Sequence, residues 1–525
     1  MFTHKKTTTS KTLTTLAGST IFLLLFSLSG QSIVNFAAAD SSSDENSTST
    51  NDQTGDINNV ENSTSTNDQT VSTNNDKDQS WDNYQTALHQ ANHDYWNAVG
   101  NATQIYNQTM QNAEQTKQKA DSNARQTFRD TVNASRQAYE TAEDAANGDK
   151  SVIAQAAATR DSTVGNAKIA LDTATGQADV TEKNADIQAE VTKMQAIGLA
   201  QAAKDKAYGD ALVAYDNVKG GKNTARDQAV EIALIAQDNS ILSAKIDQKN
   251  ANGGFEVSIM QAQTTATTST DNTNMNFDVA KDNAMDDKSK IVAAQVTRDQ
   301  SLGTTEQTQI NSIGSLNEKI DQVNAGTQTA IDTANSIFEQ ASDNANGNTL
   351  AATRDQTIET AKVTRDNTNG QTQASIDNAN IQFDLASSTA NTSTDVARDQ
   401  ANGSQTAIWN AYATKDQAIA TAQATRDTAI WNAHISIDQE NAGTQTAIDT
   451  AMGDYNVAKD NASNNSKAAT RDTAIEGATI AVDNALGQDQ ITKDKAYEQI
   501  DVTKDNSDGT AKVTRDQAMA TAWQS

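Results

Sequence analysis

Acidic side chains recur along this chain at one spacing. Residues 151–516 divide into 32 consecutive units of about eleven residues, and the last position is Asp in 26 of them. Carboxylates are the usual groups for proton transfer and for binding hard cations. Eleven residues of helix span roughly 16 Å, however, and a basic residue often precedes the Asp, as in Arg298-Asp299. We therefore expect these carboxylates to form a solvated face and not a cage around a metal ion.

Few other residues could support catalysis. The chain has four His and no Cys. His89 and His93 would share a helical face and could contact one metal ion together, but the sequence shows no third ligand and no HExxH motif. It also lacks a P-loop, GxGxxG, GxSxG or EF-hand pattern. We predict that the protein is not an enzyme and has no catalytic residue, cofactor or metal site.

Aromatic side chains are concentrated near the start of the repeats. Five lie within 26 residues, and several share one helical stripe. The stripe is typical of a capping helix that packs on its neighbours, and clustered Trp and Tyr are also typical of binding surfaces. Two further Trp, two repeat units apart, should share a face and could either contact a partner or pack between segments. The candidate partner contacts are Trp81, Tyr84, Tyr95, Trp96, Tyr106, Trp409 and Trp431.

The repeat length predicts the secondary structure that positions these side chains. Eleven residues make three helical turns, so each repeat position stays on one face of a long helix. Positions 2, 6 and 9 are mostly Ala, Thr or Ser and lie within about 65° of one another. The chain contains no Pro. We predict an all-α fold of long, Ala-rich hendecad helices, either extended rods or folded-back hairpins, that self-associate through the Ala-rich stripe.

One observation favours a different fold. Gly occupies position 4 in thirteen units, and each Gly costs about 1 kcal/mol relative to Ala inside a helix. Read with a period of two, positions 2, 4, 6 and 8 form a row of small and β-branched residues. A β-solenoid is therefore the alternative fold class.

Interruptions in the repeat indicate a duplication. Six-residue inserts occur at 283–288 and 400–405, and the units 344–355 and 461–472 have twelve residues. The string NAGTQTAIDTA occurs at 324–334 and again 117 residues later. We assign hendecad repeats to 151–288 and superrepeats to 289–405 and 406–525. Reversal of the chain at the six-residue inserts predicts helical segments of roughly 110–115 residues.

The N-terminal part has a different organisation. Residues 1–39 have three Lys, a short apolar run and a small-residue site before Asp40, which is the order of a signal peptide. Residues 40–80 are Ser, Thr, Asn and Asp with little to bury, so we expect a disordered linker. Residues 81–150 form the predicted helical head that carries the aromatic cluster.

Charge and hydropathy narrow the possible partners. The formal net charge is -28, which disfavours nucleic acid and anionic membranes. No apolar run after the signal peptide is long enough to span a membrane, so we expect no membrane span in the mature chain. The C-terminal residues lack a wall-sorting pattern. We expect a secreted, extracellular protein that associates with a cell surface or host surface without covalent attachment.

The repeats resemble those of a known family. TAQATRDTAIW (421–431) and QAAKDKAYGDA (201–211) are similar to the eleven-residue motif of group 3 late-embryogenesis-abundant (LEA) proteins. That resemblance implies a hydrophilic chain that becomes helical on drying and shields proteins and membranes. The repeats also resemble those of repetitive helical surface proteins of Gram-positive bacteria. We predict a non-enzymatic fibrous repeat protein that acts as a spacer, adhesin or aggregation factor, with an extracellular LEA-like protectant as the alternative.

Overall fold

Residues 72–401 and 403–524 are described by a computed structural model. Across them the chain forms seven long helices and no strand, so the fold is all-α and the β-solenoid alternative is wrong. The helices are α1 Ser72–Ala146, α2 Lys150–Val218, α3 Thr224–Ala284, α4 Lys288–Ala345, α5 Thr349–Gln400, α6 Gln405–Ala462 and α7 Ser466–Ala522.

Each helix packs only on the helices next to it in sequence, so the described residues form a single layer of antiparallel neighbours. At a rise of 1.5 Å per residue, the 75 residues of α1 extend about 110 Å and the 52 residues of α5 about 80 Å. No described helix is long and apolar enough to cross a membrane.

Chain reversals among the described residues occur at the two predicted inserts and at four further places, 147–149, 219–223, 346–348 and 463–465. The turns after α3 and α5 lie within 283–288 and 400–405, as expected. The twelve-residue units 344–355 and 461–472 are turns as well, so the prediction of segments near 110–115 residues was wrong. Each of these two units contains a residue with left-handed backbone at its turn, Gly347 or Asn464. The turn at 219–223 lies in a unit of ordinary length and contains the left-handed Gly220 and Gly221. The 117-residue duplication is thus a two-helix hairpin, α4–α5 copied as α6–α7.

Polar caps begin most of the helices. Asp149 accepts hydrogen bonds from the backbone N–H groups of Ser151 (2.9 Å) and Val152 (3.4 Å). Asp287, Asn348, Ser404 and Asn465 cap α4 to α7 in the same way. These side chains satisfy N–H groups that the first helical turn leaves without a partner.

The start of α1 differs from the prediction. Residues 72–80 belong to α1, although the sequence predicted a disordered linker up to residue 80. Ser80 is buried, and Trp81 contacts Tyr215 near the end of α2, so α1 extends as far as the helix on which it packs. The predicted signal peptide and residues 40–71 of the linker lie outside the described residues.

Each of the helices α2 to α6 packs through two faces on nearly opposite sides. The alanine face, which we define as repeat positions 2, 6 and 9, is the predicted small-residue stripe. It packs α3 on α4 and α5 on α6, where Ser269 and Thr305 are 2.9 Å apart and Arg426 lies 4.4 Å from the ring of Phe383. The alanine face of α2 packs on α1, with Ala178 and Ala189 buried there.

The second face was not predicted. The aspartate face, which we define as positions 4, 8 and 11, joins α2 to α3, α4 to α5 and α6 to α7. A Cβ on Gly487 would lie 2.6 Å from the Cβ of Ala442, so position 4 is Gly where two backbones approach closely. Position 8 supplies buried apolar side chains between them, including Ile435 and Ile491. The two faces explain why helices with so little apolar bulk pack side by side.

Candidate functional site: the paired aspartates and the aromatic residues

The Asp residues that end the repeat units face one another across the aspartate face. Asp161 of α2 lies opposite Asp282 of α3, and each step of eleven residues along α2 matches a step of eleven back along α3. The same rule holds in the other two hairpins. The resulting pairs are 161/282, 172/271, 205/238, 216/227, 299/399, 321/377, 332/366, 343/355, 427/505, 438/494 and 449/483.

The six units that do not end in Asp follow the same register. It places Lys183 opposite Met260, Met194 opposite Lys249, and Ile310 opposite Ser388. A carboxylate is therefore replaced on both helices or on neither. This matching indicates that the pair, and not the single residue, is the unit that the repeat preserves.

Burial of these carboxyl groups contradicts the solvated face expected from the sequence. Asp516 is completely buried, Asp227 is 4% exposed, and Asp299, Asp355 and Asp366 are also buried. They lie inside because positions 4 and 11 share one side of the helix, where Gly at position 4 leaves room for a side chain or the backbone of the facing helix.

An arginine neutralises one member of many pairs. Arg365 contacts Oδ1 of Asp366 at 2.8 Å, and Arg226 contacts Oδ1 of Asp227 at 2.7 Å. The other oxygens, Oδ2 of Asp366 and Oδ2 of Asp227, are buried and accept no hydrogen bond. A buried carboxylate oxygen in this situation is satisfied when the facing carboxyl group is protonated and donates to it.

The partner carboxyls bind protons more tightly than an ordinary Asp. Burial first, and then the facing Asp205, raise the pKa of Asp238 to about 7. Burial and the facing Asp321 likewise raise the pKa of Asp377 to about 7. Burial beside Asp366 raises the pKa of Asp332 to about 6. Two close carboxylates do not both ionise readily, so the pairs that contain Asp238, Asp377 and Asp332 each hold one proton in weakly acidic solution.

Metal-ligating side chains do not cluster among the described residues. No three His, Cys, Asp or Glu among them are placed to hold one metal ion. His89 and His93 lie exposed on α1, and the ring of His93 is 3.1 Å from Nδ2 of Asn97. A groove of about 580 Å³ between α5 and α6 is open and lined mainly by Thr, Ala and Gly, with Glu440 as its single ionisable side chain.

The aromatic residues of α1 divide between its packed side and solvent. The ring centroids of Tyr84 and Tyr215 of α2 are 5.7 Å apart, and the ring centroid of Trp81 lies 5.4 Å from that of Tyr215. Tyr106 donates a hydrogen bond to Asp186 of α2 (3.2 Å). Trp96 is 65% exposed and has only an edge contact with Tyr95, at 5.2 Å. Of the predicted contacts on α1, Trp96 and the half-exposed Trp81 are the most accessible.

The two Trp of the repeats lie in the hairpin α6–α7. Trp431 donates its indole N–H to Asp501 of α7 (3.1 Å) and stacks on Tyr497 at 5.9 Å. Trp409 is half-buried beside Tyr412, at 5.6 Å. Both occupy position 4, so they stand on the aspartate face where other units have Gly or a small residue. Their indoles therefore pack between α6 and α7, with part of each ring exposed.

Comparison with known proteins gives no match: no family model, no curated protein and no solved structure is similar to this chain.

Sequence reasoning missed the paired aspartates, although a signal was present. Gly at position 4 and Asp at position 11 are the two most regular features outside the alanine face. Both fall on one side of the helix, and Gly inside a helix often marks close backbone approach. The expectation of a solvated face considered the charge of Asp alone.

Proposed function

We propose that this protein is a secreted, surface-associated structural repeat protein, without enzymatic activity, that acts as a spacer or adhesive layer between cells or between a cell and its surroundings. The observation that best supports this proposal is that nearly every regular feature of the repeat contributes to the packing of one helix on the next. Asp, Gly and the small residues all lie on the two packed faces. Neither the groove between α5 and α6 nor that between α1 and α2 is lined by His or Cys.

Self-association is part of this proposal. The alanine face is covered on α2 to α6 by a neighbouring helix, and α7 is the one hendecad helix whose alanine face has no neighbour among the described residues. The exposed Trp96 and Trp81 on α1 provide a second contact surface, since partly exposed Trp is favoured at interfaces.

The proposal is tested in cells that produce the protein. Antibody detection in medium, surface wash and cell lysate should place the protein in the first two fractions, and deletion of its gene should reduce cell clumping or attachment. Trp96→Ala should weaken attachment, and Trp523→Ala, which removes a similarly exposed Trp at the other end of the layer, serves as the control. Protein confined to the lysate, with attachment unchanged on deletion, would contradict the proposal.

Circular dichroism separates this proposal from a LEA-like protectant. A structural layer should be strongly helical in dilute buffer, since its helices pack through continuous faces. A protectant resembling the LEA family should be mostly unfolded in buffer and gain helix on drying.

A further inference from the structure

Glycine at position 4 of a described helix always lies opposite a larger residue. A Cβ on any of these glycines would come closer than 3.0 Å to a side chain of the facing helix. That side chain itself stands at position 4 of its own repeat unit, and in no pair is it another glycine. The pairs, with the glycine first, are 165/275, 176/264, 198/242, 209/231, 253/187, 303/392, 314/381, 370/325, 453/476, 487/442 and 509/420.

Glycines at the next repeat position behave differently. Gly254, Gly326, Gly443 and Gly477 stand at position 5 of the same helices, and a Cβ on any of them would meet nothing within 4 Å. The match between a small and a larger residue is therefore a property of position 4, where two helices meet across the aspartate face.

The internal duplication shows that the paired aspartates do little to determine which helices pair. The hairpin α6–α7 is a copy of α4–α5, and four of the five Asp pairs that end the units of one hairpin recur in the other. Those four would also form if α4 packed on α7, or if α5 and α6 packed through their aspartate faces. A different feature must distinguish the observed pairs from these crossed ones.

Position 4 differs between the two hairpins, and it differs on both helices of a pair. Gly303 of α4 faces Thr392 of α5. At the corresponding places, 117 residues later, Ala420 of α6 faces Gly509 of α7. The glycine has changed helix, and the larger residue has changed helix in the opposite direction. Each hairpin thus keeps one small and one larger residue at this level.

Crossed pairing would lose this match. Packing of α4 on α7 in the same register would place Gly303 opposite Gly509 and leave space unfilled. Packing of α5 on α6 would place Ile381 opposite Trp431, although in the observed fold Ile381 faces Gly314. Two large side chains at one close contact force the helices apart.

We infer that position 4 of the aspartate face selects the partner of each helix, because its order of glycine and larger residues fits one facing helix and not the copy of that helix. Selection of this kind matters in a duplicated chain, since exchange of equivalent segments is a characteristic misassembly of repeat proteins. Specificity then comes from mismatches built against the wrong partner. The inference concerns assembly of the layer and goes beyond the proposed function.

A double-mutant cycle at residues 303 and 392 measures the selection. Gly303→Ala alone creates the Ala/Thr pair that crossed packing of α5 on α6 would contain. Thr392→Gly alone creates the Gly/Gly pair of α4 on α7. The two together create the Ala/Gly pair found in α6–α7.

Hydrogen exchange of the full-length protein, read by mass spectrometry on peptides of α4 and α5, gives the result. Gly303→Ala should lower amide protection there by about tenfold or more, because the new Cβ would lie 2.8 Å from the Cβ of Thr392. Thr392→Gly should lower it by about threefold or more through the unfilled space. The double variant should return to within about threefold of the parent protein, since residues in direct contact are not additive.

The reciprocal exchange and a matched control complete the test. Gly509→Thr should lower protection in α6 and α7, and adding Ala420→Gly should restore it, since this gives α6–α7 the Gly/Thr pair of the other hairpin. Gly326→Ala is the control, because it lies on α4 outside the contact. Combined with Thr392→Gly, it should change protection by the product of the two separate effects.

The inference is overturned if either double variant shows only the product of its two single effects, or if Gly326→Ala rescues Thr392→Gly as well as Gly303→Ala does. Rescue in both hairpins, without rescue by the control, supports it. These readouts do not depend on where the cell places the protein. A protein confined to the lysate would therefore contradict the proposed function and leave this inference standing, and absence of rescue would do the reverse.

Discussion

Two residue types at fixed repeat positions determine how closely the helices approach. Gly at position 4 leaves room for a side chain or the backbone of the facing helix, and the Asp at position 11 lies in the same interface. The Asp is stable there because Arg binds one oxygen and a proton is shared with the facing carboxyl group. A small residue thus creates the buried environment that raises the pKa of its neighbour.

Two adjacent glycines in α3 allow the effect of helix–helix contact on stability to be measured apart from the effect of helix propensity. A Cβ on Gly253 would lie 2.5 Å from Cδ1 of the buried Ile187, and a Cβ on Gly254 would meet nothing within 4 Å. We expect Gly253→Ala to lower the free energy of unfolding by about 1–3 kcal/mol and Gly254→Ala to raise it by about 0.4–1 kcal/mol. Chemical denaturation of both variants checks this expectation. Equal effects of the two substitutions would contradict the tight contact between Gly253 and Ile187.

The paired carboxyls predict that stability falls as pH rises. The pKa of Asp238 is raised to about 7 in the folded protein, above the value near 4 of the unfolded chain. The folded state therefore binds more protons between about pH 4 and pH 7. The stabilisation is complete below pH 4 and is lost as pH rises through 7. Thermal unfolding of the parent protein at a series of pH values should show this decline.

Asp238→Asn isolates one pair. An amide at this position stays uncharged and donates a hydrogen bond to Asp205. We therefore expect the free energy of unfolding to rise on the order of 1 kcal/mol at pH 8, reduced by solvent screening, and to change little near pH 4. Asp130→Asn, at an exposed position of α1, should give no such pH-dependent gain. A gain that is the same at both pH values would contradict proton sharing by the pair.

At the scale of elements, short polar turns set the length of each helix. The segment between α1 and α2 contains left-handed Asn147 and Gly148 followed by the cap Asp149. Similar turns follow α3 to α6, so the hairpins are defined by local backbone chemistry and not only by packing. The longer turn between α2 and α3 lacks a side-chain cap, since Asn223 makes no such hydrogen bond.

This difference gives a matched test of capping. Asp149→Ala removes two hydrogen bonds to backbone N–H groups and should cost about 1 kcal/mol in the free energy of unfolding. Asn223 occupies the same place at the start of α3 but makes no capping hydrogen bond, so Asn223→Ala should lower the free energy of unfolding much less. Urea unfolding measures both, and a larger loss from Asn223→Ala would show that the caps are not what fixes these turns.

At the scale of the whole described layer, contacts occur only between helices adjacent in sequence. Stability should then be close to a sum over helices and their nearest interfaces, as in other repeat proteins. The stability of a truncated chain should therefore depend more on which helix face the truncation exposes than on how many residues it removes.

Two truncations test this expectation. A chain ending at Ser404 loses the hairpin α6–α7 and uncovers the alanine face of α5, which is mostly small residues. A chain ending at Asn465 loses α7 alone and uncovers the aspartate face of α6, with Trp409, Trp431 and Ile435. We expect the shorter chain to keep a denaturation midpoint near that of the parent and the longer one to unfold earlier. The reverse order would contradict the two-face description.

The eleven-residue period determined the helices, the alanine face and the 117-residue duplication, because three helical turns return each position to the same side of any helix. Only the tertiary structure decided that 344–355 and 461–472 are turns, that Asp lies buried, and that Trp431 binds Asp501. The physical reason is the same in each case. Whether a face meets water or another helix depends on where the chain turns back, and the burial of a carboxyl group depends on how closely the facing backbone approaches.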